Sequence, residues 1–192
     1  MSSEAAARLE MTLEEFLRWT SDGDARYQLL EGRAVAMTPP SSAHGTIVSN
    51  LARRIGERLD RLEHCRLVTE GGILSPTKED TYYQADLVVT CTAHHPGEQH
   101  IAEPLMIVEV LSPSTEDHDR KVKVADYRKC SSVQEILLVD QSKPYCEIHR
   151  RFEADQDRWL VDLYLSLEET LSLESLGVEL PLEAIYAKLS LD

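Results

Sequence analysis

Apolar residues recur at spacings of three and four from Val48 through Leu51, Ile55, Leu59 and Leu62, which predicts one long amphipathic helix over roughly 43–62. Pro39-Pro40-Ser41-Ser42 stands just before it and supplies a helix cap. Elsewhere the pattern shortens to strand-like runs: 66–74, 82–91, 105–111 and 135–140. Leu105-Met-Ile-Val-Glu-Val-Leu111 is apolar except for one charge and reads as a strand buried on both faces. Thr12-x-x-Glu15 is a capping box opening a short helix to about Trp19. Residues 27–37 predict a hairpin turning at Glu31-Gly32, with Leu29, Leu30, Val35 and Met37 inward. A second helix is predicted over 119–129, a further hairpin over 146–152 and 159–164, and a C-terminal helix over 182–188.

Strung together, the middle of the chain reads helix, three strands, helix, strand. That order predicts an α/β (α+β) fold with a central mixed sheet flanked by helices, an N-terminal hairpin and a C-terminal β extension. The length of 192 residues suits one domain, 1–192, with its core at about 43–141. The hydrophobic share of 42% and charged share of 28% are ordinary for a globular protein. No apolar run reaches the roughly 20 residues that span a bilayer, and the N-terminus lacks the layout of a signal peptide. No membrane association and a cytoplasmic location are therefore expected. Cys65, Cys91, Cys130 and Cys146 are widely spaced without a Cys-x-x-Cys pair, so neither a zinc ribbon nor a disulfide framework is expected; Cys91 and Cys146 read as small buried hydrophobes. The net charge of −14 argues against a protein that coats nucleic acid nonspecifically, although most of the acidity lies in the two ends of the chain.

The single charge in the 105–111 run, Glu109, is the anomaly. Desolvating a lone carboxylate costs several kcal/mol, on the order of a domain's whole net stability. It needs a cation, dense hydrogen bonding or a raised pKa. Asp86 opens a second strand-like run, and strict alternation would put it on the face of Val88, with Glu109 on the face of Ile107 and Leu111. Lys121 and Lys123 follow in the second helix, and their alternation with valines does not decide which points inward. Two carboxylates on neighbouring strands with a lysine nearby are the groups that hold Mg²⁺, or Mn²⁺, against a phosphodiester.

Several segments carry a resemblance. Tyr83-Gln-Ala-Asp86-Leu87, Pro104 to Thr115 with its Glu-Val-Leu-Ser-Pro-Ser-Thr run, Asp119-x-x-x-Lys123-x-x-x-Tyr127 and Val133 to Asp140 resemble the Uma-two family of restriction-endonuclease-like proteins in the PD-(D/E)XK nuclease superfamily. The likeness extends to the 27–32 hairpin, to His44 opening the long helix, and to Leu176-Gly-Val-Glu-Leu180 with Ile185-Tyr186. It implies a DNA endonuclease, a homodimer, Asp86 and Glu109 as metal ligands, the Val110 carbonyl as a possible further ligand, and Lys123 as the catalytic lysine. Three departures stand out. Ala85 replaces the proline usually found before the aspartate, Leu111 stands where the strand lysine is expected, and Glu31-Gly32-Arg33 lacks acids found in relatives. Glu31, His44 and Lys121 are accordingly weaker candidates for the site.

Plainer readings compete. Glu109 can be a structurally paired buried acid, and Lys123 can be an i,i+4 partner of Asp119. Arg53, Arg54, Arg58 and Arg61 read first as a solvated helix face, and His94, His95 and His100 as loop residues. The alternative function is a catalytically silent nuclease fold acting as a DNA-binding or protein-interaction module. A hydrolase of another phosphate ester is a third.

Overall fold

A computed structural model describes residues 9–20, 25–152 and 155–191. The elements run β1 (Leu9–Glu10), α1 (Leu13–Arg18), β2 (Tyr27–Leu30), β3 (Arg33–Ala36), α2 (Ser42–Leu59), β4 (Arg66–Leu74), β5 (Tyr82–Thr90), β6 (Pro104–Leu111), α3 (Glu116–His118), a π-helical turn (Asp119–Lys123), α4 (Val124–Tyr127), β7 (Glu135–Asp140), β8 (Cys146–Phe152), β9 (Asp155–Tyr164), β10 (Thr170–Leu173), β11 (Val178–Pro181) and α5 (Leu182–Ile185). The predicted mixed sheet flanked by helices is what forms. Its order is β1-β3-β2-β5-β6-β7-β8-β9, with β4 also on β5, and β10 and β11 make a separate pair.

Among the described residues only β6 and β7 pair in parallel, because the α3–π–α4 segment carries the chain back across the sheet between them. Both strands are covered on both faces, which explains their continuous apolar runs. One face packs under α2 through Ile47, Leu51 and Ile55 against Leu87, Met106, Val108 and Val110, with Leu171, Leu180 and Ile185 closing that core. The other face packs Tyr83, Ile107, Leu111, Ile136 and Leu138 under Val124 and Tyr127.

The Thr12 capping box is present, with Oγ1 accepting from the Glu15 amide and Glu15 accepting from the Thr12 amide. Glu31 and Gly32 both take positive φ (51° and 74°), the backbone that a two-residue hairpin turn requires. Within that hairpin the inward set differs from expectation. Leu29 and Ala34 are buried, whereas Leu30 is half-buried, Met37 lies past the end of β3 and Val35 is 42% exposed, because the register pairs Leu29 with Ala34. The long helix is shorter than predicted and is capped by Ser41, whose Oγ accepts from the His44 amide. The second helix begins earlier, contains a π turn and stops at Tyr127. The C-terminal helix stops at Ile185.

The cysteines depart furthest. Cys65 and Cys91 form a disulfide just beyond the Arg66–Thr90 pair of β4 and β5, so the expectation of no disulfide and of Cys91 as a small hydrophobe is corrected. Strand register makes them neighbours across 26 positions of sequence. Cys146 is a buried free thiol, as expected.

Candidate functional site

The site grows from an irregularity in β5. Tyr83 and Ala85 face the α4 side, but Leu87 and Val89 face α2, so alternation breaks at Asp86. The β4 register brackets the same point. Thr69 pairs with Leu87 and Gly71 with Ala85, leaving Glu70, at φ 54°, opposite Asp86. On its other edge β5 pairs with β6 from Leu87 to Thr90 and with β2 at Tyr82. Asp86 therefore lies where β5 parts from β6. Its Oδ2 accepts from the Val110 amide at 2.7 Å, and its Oδ1 lies 3.3 Å from His44 Nε2 at the start of α2. Strict alternation with Val88 therefore does not fix where Asp86 points; its carboxylate reaches the β6 backbone and the start of α2.

Glu109 keeps the face predicted for it, beneath the crossover helix, and is 3% exposed. Lys123 Nζ donates to its Oε1 at 3.1 Å and Tyr127 Oη to the same oxygen at 2.7 Å. Lys123 also pairs with Asp119 Oδ1 at 3.0 Å. The π turn holds Asp119 and Lys123 inward together, with the Val124 amide bonded back to the Asp119 carbonyl five residues earlier. Turns of this kind occur often at functional sites.

Burial pushes the Glu109 carboxyl up to about 8; Lys123 and the Tyr127 hydrogen bond pull it down, while Asp119 and Asp86 push it further up. One lysine therefore does not fully compensate this carboxylate. For Lys123, burial favours loss of the proton, but the Glu109 and Asp119 charges outweigh it and raise the pKa. The ammonium is held charged. Behind the cluster, Asp126 accepts from Tyr83 Oη (2.7 Å), Ser75 Oγ (2.8 Å) and Thr77 Oγ1 (3.2 Å), which braces the helix against β4 and β5.

The family model described as "putative restriction endonuclease", Uma2, matches residues 13–183. The chain belongs to the Uma2 family. It is similar to the uncharacterized protein slr1290 of Synechocystis sp. (strain ATCC 27184 / PCC 6803 / Kazusa), 28% identical over 182 residues that cover 94% of each chain. A second protein of that organism, the uncharacterized protein sll1609, is 24% identical and covers 79% of this chain and 85% of its own length. Among solved structures, one described as a putative nuclease belonging to DUF820 from Anabaena variabilis ATCC 29413 matches with a TM-score of 0.71, over 92% of this chain and 98% of that one. Its 17% identity makes it support for the fold.

In this Uma2 chain the residues singled out in sequence fall into two groups. Asp86 meets Val110 and His44, Glu109 meets Lys123, and the two carboxylates are near enough for the Asp86 charge to push the Glu109 pKa up. Lys121 points outward and pairs with Asp117 at 3.0 Å, and the Glu31 carboxylate, in an exposed turn, is engaged by Lys78 at 2.6 Å. Sequence reasoning gave no role to Tyr127 or His118. Tyr127 had a signal, its i+4 spacing from Lys123. His118 had none: its Nε2 is buried with no hydrogen-bond partner among the described residues, and burial followed by the Lys123 charge lowers its pKa.

Proposed function

We propose that this Uma2 protein is a Mg²⁺-dependent endonuclease that hydrolyses DNA phosphodiester bonds, with Mn²⁺ able to replace Mg²⁺. The observation that carries the proposal is the buried Lys123 ammonium at 3.1 Å from Glu109, which supplies from the helix the charge missing at Leu111 in the strand.

The donor set fits a hard divalent cation. Asp86 and Glu109 offer carboxylate oxygens, Val110, whose amide already meets Asp86, offers a neutral carbonyl oxygen, and the raised Glu109 pKa is the mark of a carboxylate short of positive charge. Those three would hold the ion. When bound, it would lower the pKa of a coordinated water and offset charge on the phosphate. The chain's own groups do the rest. His44 and the Val110 amide orient the two oxygens of Asp86, and Tyr127 fixes Glu109. Lys123, held protonated, acts as a fixed cation toward the charge developing on the phosphate rather than as the base.

A homodimer with two sites suits cleavage of both strands. Its support is β9, last in the sheet order, which leaves Leu160, Val161 and Leu163 exposed. None of the described helices is long and apolar enough to cross a membrane, and a cytoplasmic location is part of the proposal.

The second reading, a silent nuclease fold, draws on the same burial: Glu109 and Lys123 are each 3% exposed and already paired. Titration of Mg²⁺ and Mn²⁺ by calorimetry on wild type and Glu109→Ala, with plasmid nicking in parallel, separates the two. The endonuclease reading expects metal binding and nicking that are both lost on substitution. Metal binding unchanged in Glu109→Ala would overturn the site. Metal binding without cleavage of any DNA substrate would favour the silent module.

A further inference from the structure

Away from the carboxylates, His64, Cys65 and Cys91 meet where the turn after α2 enters β4 and where β5 ends. One ligand atom from each, an imidazole nitrogen and two sulfurs, lies within 4.8 Å of the others. His64 is exposed and both cysteines are half-buried, so the group is open to solvent and solutes. All three lie just outside the β4–β5 ladder, whose last pair on this side is Arg66 with Thr90. Small shifts of the sulfurs therefore cost no sheet hydrogen bond.

We propose that the reduced form of this cluster is a binding site for a thiophilic divalent cation, zinc, and that the Cys65–Cys91 disulfide is its closed state. Two thiolates and an imidazole are a borderline-soft donor set, matched to Zn²⁺ and poorly matched to Mg²⁺. Zinc holds sulfur at about 2.3 Å and nitrogen at about 2.0–2.1 Å, so three donors already grouped within 4.8 Å need only local adjustment. A water or an outside ligand completes the tetrahedron.

Opening the site takes a dithiol reductant. It gives two electrons and two protons to the Cys65–Cys91 bond and leaves as its own disulfide, and the S–S bond becomes two thiols. Binding the cation then expels both thiol protons to solvent. Reducing compartments hold such pairs as thiols, which makes the metal form the relevant one there. The other two cysteines do not compete. Burial pushes the Cys130 thiol up to about 11 and the Cys146 thiol up to about 12, so neither supplies a thiolate readily. The site is independent of the nuclease reading, because it shares no residue with Asp86, Glu109 or Lys123.

The test uses the full chain, reduced with a dithiol, desalted without oxygen and titrated with Co²⁺ as a spectroscopic stand-in for zinc. A thiolate-to-cobalt charge-transfer band reports sulfur ligation and is silent to cobalt held by carboxylates. The expected result is one such site per chain in reduced protein, no band in oxidised protein, and loss of the band when Zn²⁺ is added in competition. Cys65→Ser with Cys91→Ser should abolish the band. His64→Ala, at an exposed position, should keep both thiols and weaken binding ~10-fold or more. No band in reduced wild type, a band that survives the double substitution, failure of Zn²⁺ to displace Co²⁺, or unchanged affinity in His64→Ala would each overturn the proposal.

Discussion

Two glutamates are buried on adjacent strands of this sheet, and they are solvated by the protein in opposite ways. Glu135 on β7 is 2% exposed and faces the α2 side; Glu109 on β6 is 3% exposed and faces the crossover helix. Both oxygens of Glu135 are saturated. Arg150 Nε donates at 3.2 Å, the Glu174 and Ser175 amides at 2.9 and 3.0 Å, and the Ser175 hydroxyl completes the set. Arg150 is itself tied to Asp162 and to the Ser172 carbonyl, so this glutamate clamps the β10–β11 segment to the sheet. Glu109 takes both its hydrogen bonds on one oxygen, and its pKa stays raised. Burial alone does not distinguish a working acid from a structural one. The number and placement of donors does, since a saturated carboxylate has no lone pairs left for a cation.

The contrast breaks first on substitution. Glu109→Ala is expected to remove metal binding and with it nicking, a drop of about a thousandfold or more at the Mg²⁺ concentration that saturates wild type, while leaving a cooperative melt. Lys123→Ala should have a similar effect on cleavage with a smaller effect on metal affinity, which calorimetry resolves. Glu135→Ala should do the reverse. Removing it takes one of Arg150's acceptors and leaves the two loop amides without theirs, at a cost of about 3 kcal/mol in a denaturant melt, with metal affinity per folded molecule unchanged. If Glu135→Ala abolished metal binding while Glu109→Ala spared it, the distinction drawn from donor counts would fail.

Much of this frame was legible in the chain. The strands at 105–111 and 135–140 follow from apolar runs that are buried on both faces, and Glu109 stood out because it interrupts one of them. Spacing alone left Lys123 as one of two lysines, and the family resemblance chose between them. The inward turn of Lys123 depends on the π turn, which local spacing does not announce. The reach of Asp86 toward His44 was hidden for a related reason: strict alternation assumes a regular ladder, and the irregularity opposite Glu70 is a property of two strands together. The Cys65–Cys91 bond likewise depends on register, which is tertiary information. The inward face of the first hairpin was misjudged because Leu30 and Val35 are apolar, whereas pairing, not hydrophobicity, put Ala34 inside.

A half-buried glutamate sharpens the comparison through pH. Glu147 on β8 accepts from His149 Nε2 at 2.5 Å, from Tyr145 Oη at 2.8 Å and from Arg120. The Arg128 guanidinium can only donate, so His149 Nδ1 accepts from it and Nε2 carries the proton given to Glu147. The His149 hydrogen bond lowers the Glu147 pKa most; burial opposes it, and Tyr145 and Arg120 add to it, leaving a value of about 2. A depressed carboxyl stabilises the fold above its unfolded value near 4.5, and that stability is lost as pH falls through about 2. Glu147→Gln should therefore lower stability at neutral pH by on the order of 2 kcal/mol, after discounting for solvent screening, and flatten the acid limb between those values. An acid limb identical to wild type would show that Glu147 is not held ionised by this network.

The smallest effect concerns His44, which meets the site at Asp86. Its Nε2 lies 3.3 Å from Asp86 Oδ1, while the Val110 amide secures the other oxygen. As a positioning residue it sets the angle at which Asp86 presents its oxygens, so His44→Ala should weaken Mg²⁺ binding about tenfold and leave the melting temperature nearly unchanged. His44→Gln offers an amide N–H in a similar place and should recover part of that affinity, a rescue that a purely packing role would not produce. Metal affinity that is the same in wild type, alanine and glutamine variants would mean that the Val110 amide alone orients Asp86.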